Sequence, residues 1–134
     1  MTNFYKDKVI IVTGASSGIG LASVRNFASL GAKVVLAARS IDKLEKIAEE
    51  LNNRYAAHGS QLTAHCIKTD VTKEEDCKNL IEKTIETFGK IDILVNNAGI
   101  SMRAVFKDLD LNVMRSLMDT NFWGTVYCTK YALP

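Results

Sequence analysis

The stretch Thr13-Gly14-Ala15-Ser16-Ser17-Gly18-Ile19-Gly20 decides the fold. It follows directly on a β-branched run, Val9–Thr13, and leads into residues with helical spacing. The glycines are spaced Gly-x-x-x-Gly-x-Gly, one residue looser than the Gly-x-Gly-x-x-Gly turn that carries dinucleotides. The physical roles are the same. One glycine permits the tight turn, another lets the backbone approach a pyrophosphate, and the last lets helix and strand pack. The helix N-terminus then offers unbonded N–H groups and a partial positive charge to the anion. Gly14, Ser16, Ser17, Gly18, Ile19 and Gly20 are therefore candidate cofactor-binding residues. The spacing alone also allows a strand–helix turn without a ligand. No Gly-Lys-[Ser/Thr] follows, so the loop is not a P-loop.

Outward from this loop, short apolar runs recur at Val34–Ala38, Leu62–Thr69 and Ile91–Val95, and longer stretches of helical spacing separate them. Runs of this kind read as strands buried on both faces. Strand–helix alternation implies right-handed crossovers and a parallel sheet. The expected fold is α/β, a Rossmann-type doubly wound sheet. The first helix runs to about Leu30, with Gly31 as its stop. The second follows Ser40, a good N-cap, and ends before Gly59. The third is expected to start at Thr72, where Thr72 and Glu75 make the Thr-x-x-Glu capping pattern, and to end at Gly89. The fourth begins near Asp110, and its stripe Leu111, Met114, Met118, Phe122 is still in progress at Pro134. The expectation is one domain, residues 1–134, truncated after the fourth strand and the long helix that follows.

Composition narrows the function classes. The chain has 134 residues, 47% hydrophobic and 24% charged, which excludes disorder as a description of the whole. Seventeen basic and fifteen acidic residues leave a net charge of +2, too weak to suggest a nucleic-acid or anionic-membrane partner. No run approaches the roughly 18 apolar residues of a membrane span. Residues 1–8 hold no apolar signal-peptide core. Cys66, Cys77 and Cys128 lack metal-ligand spacing and read as reduced thiols in a cytoplasmic protein. His58 and His65 are seven apart with no acidic or cysteine ligand pattern, so no metal site is expected.

The second strand carries the cofactor preference. A unit that prefers NAD usually has an acidic residue there, on the ribose 2′-hydroxyl. This strand ends Leu36-Ala37-Ala38-Arg39-Ser40, with the acid missing and Arg39 beside its place. A guanidinium can pair with the 2′-phosphate of NADP in a charge-assisted fork. A solvated surface arginine is the other reading.

At this point the chain resembles the short-chain dehydrogenase/reductases along its whole length. Four features match in order: the glycine loop 13–20, Asp70-Val71 after the third strand, Asn96-Asn97-Ala98-Gly99 after the fourth, and Asn121 in the long helix. The resemblance implies that Asp70 and Val71 border the adenine. It implies that Asn97, Ala98 and Gly99 line the cofactor site, and that Asn121 is a catalytic-site asparagine supporting a proton relay. The residues themselves leave alternatives: Asp70 as a turn or N-cap residue, 96–99 as an ordinary turn, Asn121 as a structural hydrogen-bonder. Asn121 shares a stripe with Met114, Met118 and Thr125 and is expected to face the sheet.

The family's chemistry is hydride transfer between a nicotinamide and a carbonyl or alcohol carbon, served by a Tyr-x-x-x-Lys pair and a Ser. No Tyr-x-x-x-Lys occurs here; Tyr127 and Lys130 are three apart and read as ordinary helix residues. The expectation is an NADP(H)-dependent oxidoreductase present as its cofactor-binding part and inactive by itself. A small carbonyl or alcohol is the expected substrate of the complete protein, which is expected to be a homo-oligomer. The alternatives are a non-catalytic NADP(H)-binding module or an interaction fragment. The strand ending at Val95 would be an open parallel edge, prone to association. Met102, Arg103 and Phe106 either line a substrate entrance or pack a loop.

Overall fold

The computed structural model describes residues 3–55 and 62–134. Four strands, β1 (Val9–Thr13), β2 (Lys33–Ala38), β3 (Ala64–Lys68) and β4 (Ile93–Val95), form one parallel sheet in the order β3-β2-β1-β4. The helices are α1 (Gly18–Ser29), α2 (Ile41–Tyr55), α3 (Glu74–Phe88), α4 (Leu111–Met118) and α5 (Gly124–Ala132). This is the expected doubly wound α/β arrangement.

Strand alternation assigns the two faces. Ile10, Val12, Val34 and Leu36 point into one core with Val24 and Ala28 of α1 and Leu44 and Leu51 of α2. Val9, Ile11, Val35 and Ala37 point into the other, with Cys77, Leu80 and Ile81 of α3 and Cys128 of α5. Each fully buried Ile, Leu or Val contributes about 1.5–3 kcal/mol over its exposed state. All of β1 and all of β2 except Lys33 are buried, but β4 is only half-buried because it lies at a sheet edge.

Several boundaries differ from the sequence expectation, each for a local reason. The third strand is Ala64–Lys68, shorter than Leu62–Thr69. Its entry is held from α2: Asn52 Oδ1 accepts the N–H groups of Thr63 and Ala64 at 2.9 and 2.8 Å, and Asn52 Nδ2 donates to Ala64 O at 2.9 Å. The fourth strand begins at Ile93, not Ile91, while the Asp92 carboxylate accepts the Val9 N–H at 2.8 Å. The capping box at Thr72 does not form. Helix α3 starts at Glu74, and the Thr72 hydroxyl donates to Asp70 Oδ1 at 2.7 Å. Gly31 and Gly89 do follow the ends of α1 and α3. Helix α2 is described to Tyr55; Gly59 and His58 lie outside the described residues.

The long fourth helix is not one α-helix. A π-helical turn, Asp119–Trp123, separates α4 from α5. Asp110 caps α4, its side chain accepting the Asn112 N–H at 2.8 Å. Among the described residues no helix is long and apolar enough to cross a membrane.

Candidate functional site

A cleft of about 670 Å³ opens at the carboxyl ends of the strands. Ligands of open α/β sheets bind at this end. The glycine loop, the ends of β2 and β3, the turn after β4 and the π-helical turn line it.

The loop is braced by backbone contacts that leave no room for side chains. A Cβ on Gly20 would collide with Gly14 O and stand 2.6 Å from Asn97 Nδ2. A Cβ on Gly14, whose φ is +65°, would stand 2.9 Å from Ala98 Cα. These two glycines thus pack the loop against the turn at 96–99. The Ala15 N–H donates to Ala37 O at 3.2 Å, fixing the loop to β2 as well.

Thr13 is the hub of this brace. Its buried hydroxyl oxygen accepts the N–H groups of Asn97 and Ala98, both at 3.0 Å, and Asn97 Nδ2 donates to Gly14 O at 3.3 Å. In the sequence Thr13 stands at the head of the glycine motif, with nothing to mark this role beyond being a polar residue that ends an apolar run. Asn96 turns the other way, its amide donating to Thr129 Oγ1 on α5 at 3.2 Å.

Helix α1 points its N-terminus into this loop. Ser17 occupies the N-cap position in extended backbone with no side-chain cap bond, and the first turn holds no acidic residue. The partial positive charge of α1 is therefore not neutralised from its own helix. Helix α3 is the opposite case, with Glu74, Glu75 and Asp76 in its first turn.

Gly14, Ser16, Ser17, Ile19, Arg39, Asp70, Val71, Asn97, Ala98 and Gly99 all line the cleft. Gly18 and Gly20 do not; they shape the start of α1 behind it. Ile19 is 78% exposed at the mouth. Arg39 is exposed and, among the described residues, makes no ion pair. Asp70 Oδ1 accepts both the N–H and the hydroxyl of Thr72, at 3.0 and 2.7 Å, and the Asp70 N–H donates to Asp76 Oδ2 at 2.9 Å. Burial opposes the charge on Asp70. The hydrogen bonds from Thr72 and the nearby cations Arg39 and Lys73 outweigh it, so its pKa lies below the ordinary carboxylate value. The turn role of Asp70 and its place in the cleft thus coexist.

Asn121 does not face the sheet. It is exposed, and its amide clamps one residue: Oδ1 accepts the Ile100 N–H at 2.9 Å and Nδ2 donates to Ile100 O at 2.8 Å. Helix α4 has no buried residue, so the Met114–Met118 stripe is not covered by the sheet; the inward-facing residues, Gly124 and Cys128, come after the π-helical turn. A Cβ on Gly124 would stand 2.8 Å from Val71 Cγ2, so α5 packs directly behind the cleft wall. The same turn brings Asp119 and Thr120 to the cleft, together with Ser116 of α4. Met102, Arg103 and Phe106 do not line the cleft, and Phe106 is 81% exposed. The Tyr131 hydroxyl donates to Glu74 Oε1 at 2.7 Å, and this bond pushes its pKa up to about 12, the wrong direction for a proton-transfer tyrosine.

The chain belongs to the short chain dehydrogenase family, whose sequence profile matches residues 8–134. It is 45% identical over 128 residues to an uncharacterized oxidoreductase, YxnA, of Bacillus subtilis, covering 96% of this chain and 34% of that protein. It is 44% identical to an 11-beta-hydroxysteroid dehydrogenase-like 2 protein of Arabidopsis thaliana, covering 95% of this chain and 40% of that one. Among solved structures, an alcohol dehydrogenase of the archaeon Thermococcus sibiricus, complexed with 5-hydroxy-NADP, superposes with a TM-score of 0.89 at 34% identity, covering 96% of this chain and 52% of that chain. A short chain dehydrogenase/reductase of Burkholderia phymatum, in complex with NAD, superposes with a TM-score of 0.87 at 28% identity, covering 98% and 44%. The chain therefore spans between a third and about half the length of these relatives.

Proposed function

We propose that the chain is the NADP(H)-binding part of an oxidoreductase that transfers hydride to a carbonyl or from an alcohol. The observation that carries this reading is the cleft itself. It joins an acid-free helix N-terminus, a glycine loop closed to side chains, and Arg39 beside the place where an NAD-preferring site would carry an acid. These residues fit the dinucleotide. The α1 N-terminus and Ser16–Ile19 would hold the pyrophosphate, Arg39 the 2′-phosphate, and Asp70 and Val71 the adenine. Asn97, Ala98 and Gly99 would flank the far ribose. The cofactor, when bound, would supply the hydride to a carbonyl or accept it from an alcohol. Relatives complexed with NAD and with 5-hydroxy-NADP support the nicotinamide class, and Arg39 supports the phosphorylated member.

Asn121 orders the turn after β4 through Ile100, and in this reading it is the catalytic-site asparagine that supports proton movement. The chain has no Tyr-x-x-x-Lys, so we expect binding without turnover from these 134 residues. Residues 1–134 make one domain in this reading, of a cytoplasmic protein that associates with copies of itself.

Calorimetric titration with NADP⁺ and NAD⁺ tests the assignment. Hydrogen bonds to charged groups are worth about 1.5–3 kcal/mol, so Arg39→Ala should weaken NADP⁺ ten- to a hundredfold and NAD⁺ little. Equal weakening of both would defeat the role of Arg39. Absence of binding of either by the unaltered chain would defeat the reading as a whole.

A further inference from the structure

Strands β2 and β3 pair in parallel as far as Ala38 and Lys68, and the Thr69 N–H donates to Ala38 O at 2.9 Å. Arg39 and Asp70 therefore leave the sheet side by side, and both line the cleft. Their side chains differ in freedom. Asp70 Oδ1 is tied twice to Thr72, and the Asp70 N–H is tied to Asp76. Arg39 is exposed and makes no ion pair among the described residues. The two are not in salt-bridge contact, yet Arg39 is one of the cations that keep Asp70 ionised. Such coupling is reciprocal: the carboxylate lowers the positive potential around the guanidinium by as much as the guanidinium raises that around the carboxylate.

We infer that Asp70 limits the preference of this cleft for the 2′-phosphorylated dinucleotide, by holding a fixed negative charge beside Arg39. The inference rests on the assignment of Arg39 to the 2′-phosphate. Within that assignment Asp70 has two separable effects. Its contact with the adenosine end serves NAD⁺ and NADP⁺ alike and cancels in the ratio of their affinities. Its charge acts through Arg39, by drawing on the guanidinium that would hold the one group by which they differ. A neutral side chain that keeps the Thr72 bonds should therefore strengthen the discrimination, even if it weakens both cofactors.

The test is a double-mutant cycle read by calorimetry with NADP⁺ and NAD⁺, with folding of each variant checked by circular dichroism. Asp70→Asn keeps an oxygen for Thr72 and should raise the NADP⁺-to-NAD⁺ affinity ratio about threefold, the size expected for an exposed charge pair. Asp70→Glu keeps the charge and should hold the ratio within about twofold of the unaltered chain. In the Arg39→Ala background the rise on Asp70→Asn should vanish. An unchanged or lowered ratio in Asp70→Asn overturns the inference while the assignment of Arg39 stands. An equal rise with and without Arg39 also overturns it, because the charge would then act on the phosphate directly. If Arg39→Ala alone leaves the ratio unchanged, the assignment of Arg39 fails and the inference falls with it. Should Asp70→Asn not fold, Asp70→Ser, which also removes the charge, is held to the same threefold rise, and an unchanged ratio there overturns the inference too.

Discussion

Two walls meet at the cleft and are held in different ways. The glycine-loop wall rests on β1 and β2, whose residues are almost all buried, and it is tied across to the turn at 96–99 through the Thr13 hydroxyl. The α4 wall has no buried residue, and Leu111, Met118, Phe122 and Trp123 are exposed along it and its π-helical turn. It is fixed at a few points: the Asn121 clamp on Ile100 and Gly124 of α5 against Val71. Two-sided burial and satisfied hydrogen bonds make the first wall open only with the whole fold. Point attachments let the second open locally. The difference teaches which part of the site is pre-formed. The glycine-loop end of the cleft is braced before any ligand arrives, and the side nearest Asn121 is the more adjustable one.

The sharpest way to break this contrast is to put a side chain into the rigid wall. Gly20→Val would drive a Cβ into Gly14 O and Asn97 Nδ2. Overpacking of this kind costs about 1–3 kcal/mol or more, so urea unfolding should show a loss of at least that size, with dinucleotide binding abolished. Next comes Thr13→Val, which keeps the shape but leaves the Asn97 and Ala98 N–H groups without their acceptor. An orphaned donor costs about 1–3 kcal/mol; Asn97 retains a second bond, to Val95 O, so a total of about 1–3 kcal/mol is expected in the same measurement.

On the looser wall the effects should be smaller and local. Asn121→Ala removes both bonds to Ile100 at an exposed site, and about 1 kcal/mol or less of global stability should be lost. Amide exchange at Ile100 should nevertheless speed up. A global loss as large as that of Thr13→Val would erase the distinction between the walls. The smallest effect concerns pH. The Val9 N–H bond to Asp92, with help from Lys90 at 3.0 Å, holds that carboxyl below the ordinary carboxylate value. A folded-state pKa lowered in this way stabilises the chain above the unfolded value of about 4, and the contribution is lost as pH falls through the folded value. The Tm gap between the unaltered chain and Asp92→Asn should thus be open at neutral pH and close in acid.

Sequence pattern revealed the rigid wall well and the other wall poorly. Strands buried on both faces announce themselves as apolar runs, and Val9–Thr13 and Val34–Ala38 lie where β1 and β2 do. The helix stops at Gly31 and Gly89 were equally visible. Contacts between distant residues were not. Nothing local marks Asn52 as the clamp on β3, nor Thr13 as the acceptor for two amides more than eighty residues away. Thr72 satisfied a capping pattern, yet its hydroxyl turned back to Asp70, because a bond to a charged acceptor two residues away competes with the cap. The π-helical turn defeated periodic reasoning altogether, since one widened turn rotates every later side chain. The stripe through Met114, Met118 and Asn121 was expected to face the sheet, but α4 has no buried residue and Asn121 is exposed.

Hydrogen exchange with and without saturating NADP⁺ tests most directly whether the braced wall is the dinucleotide site. Added protection is expected at residues 14–20, 39–40, 69–72 and 97–100, with little change at 104–113. Protection confined to α4, or none at the glycine loop under conditions where NADP⁺ binds, would contradict it.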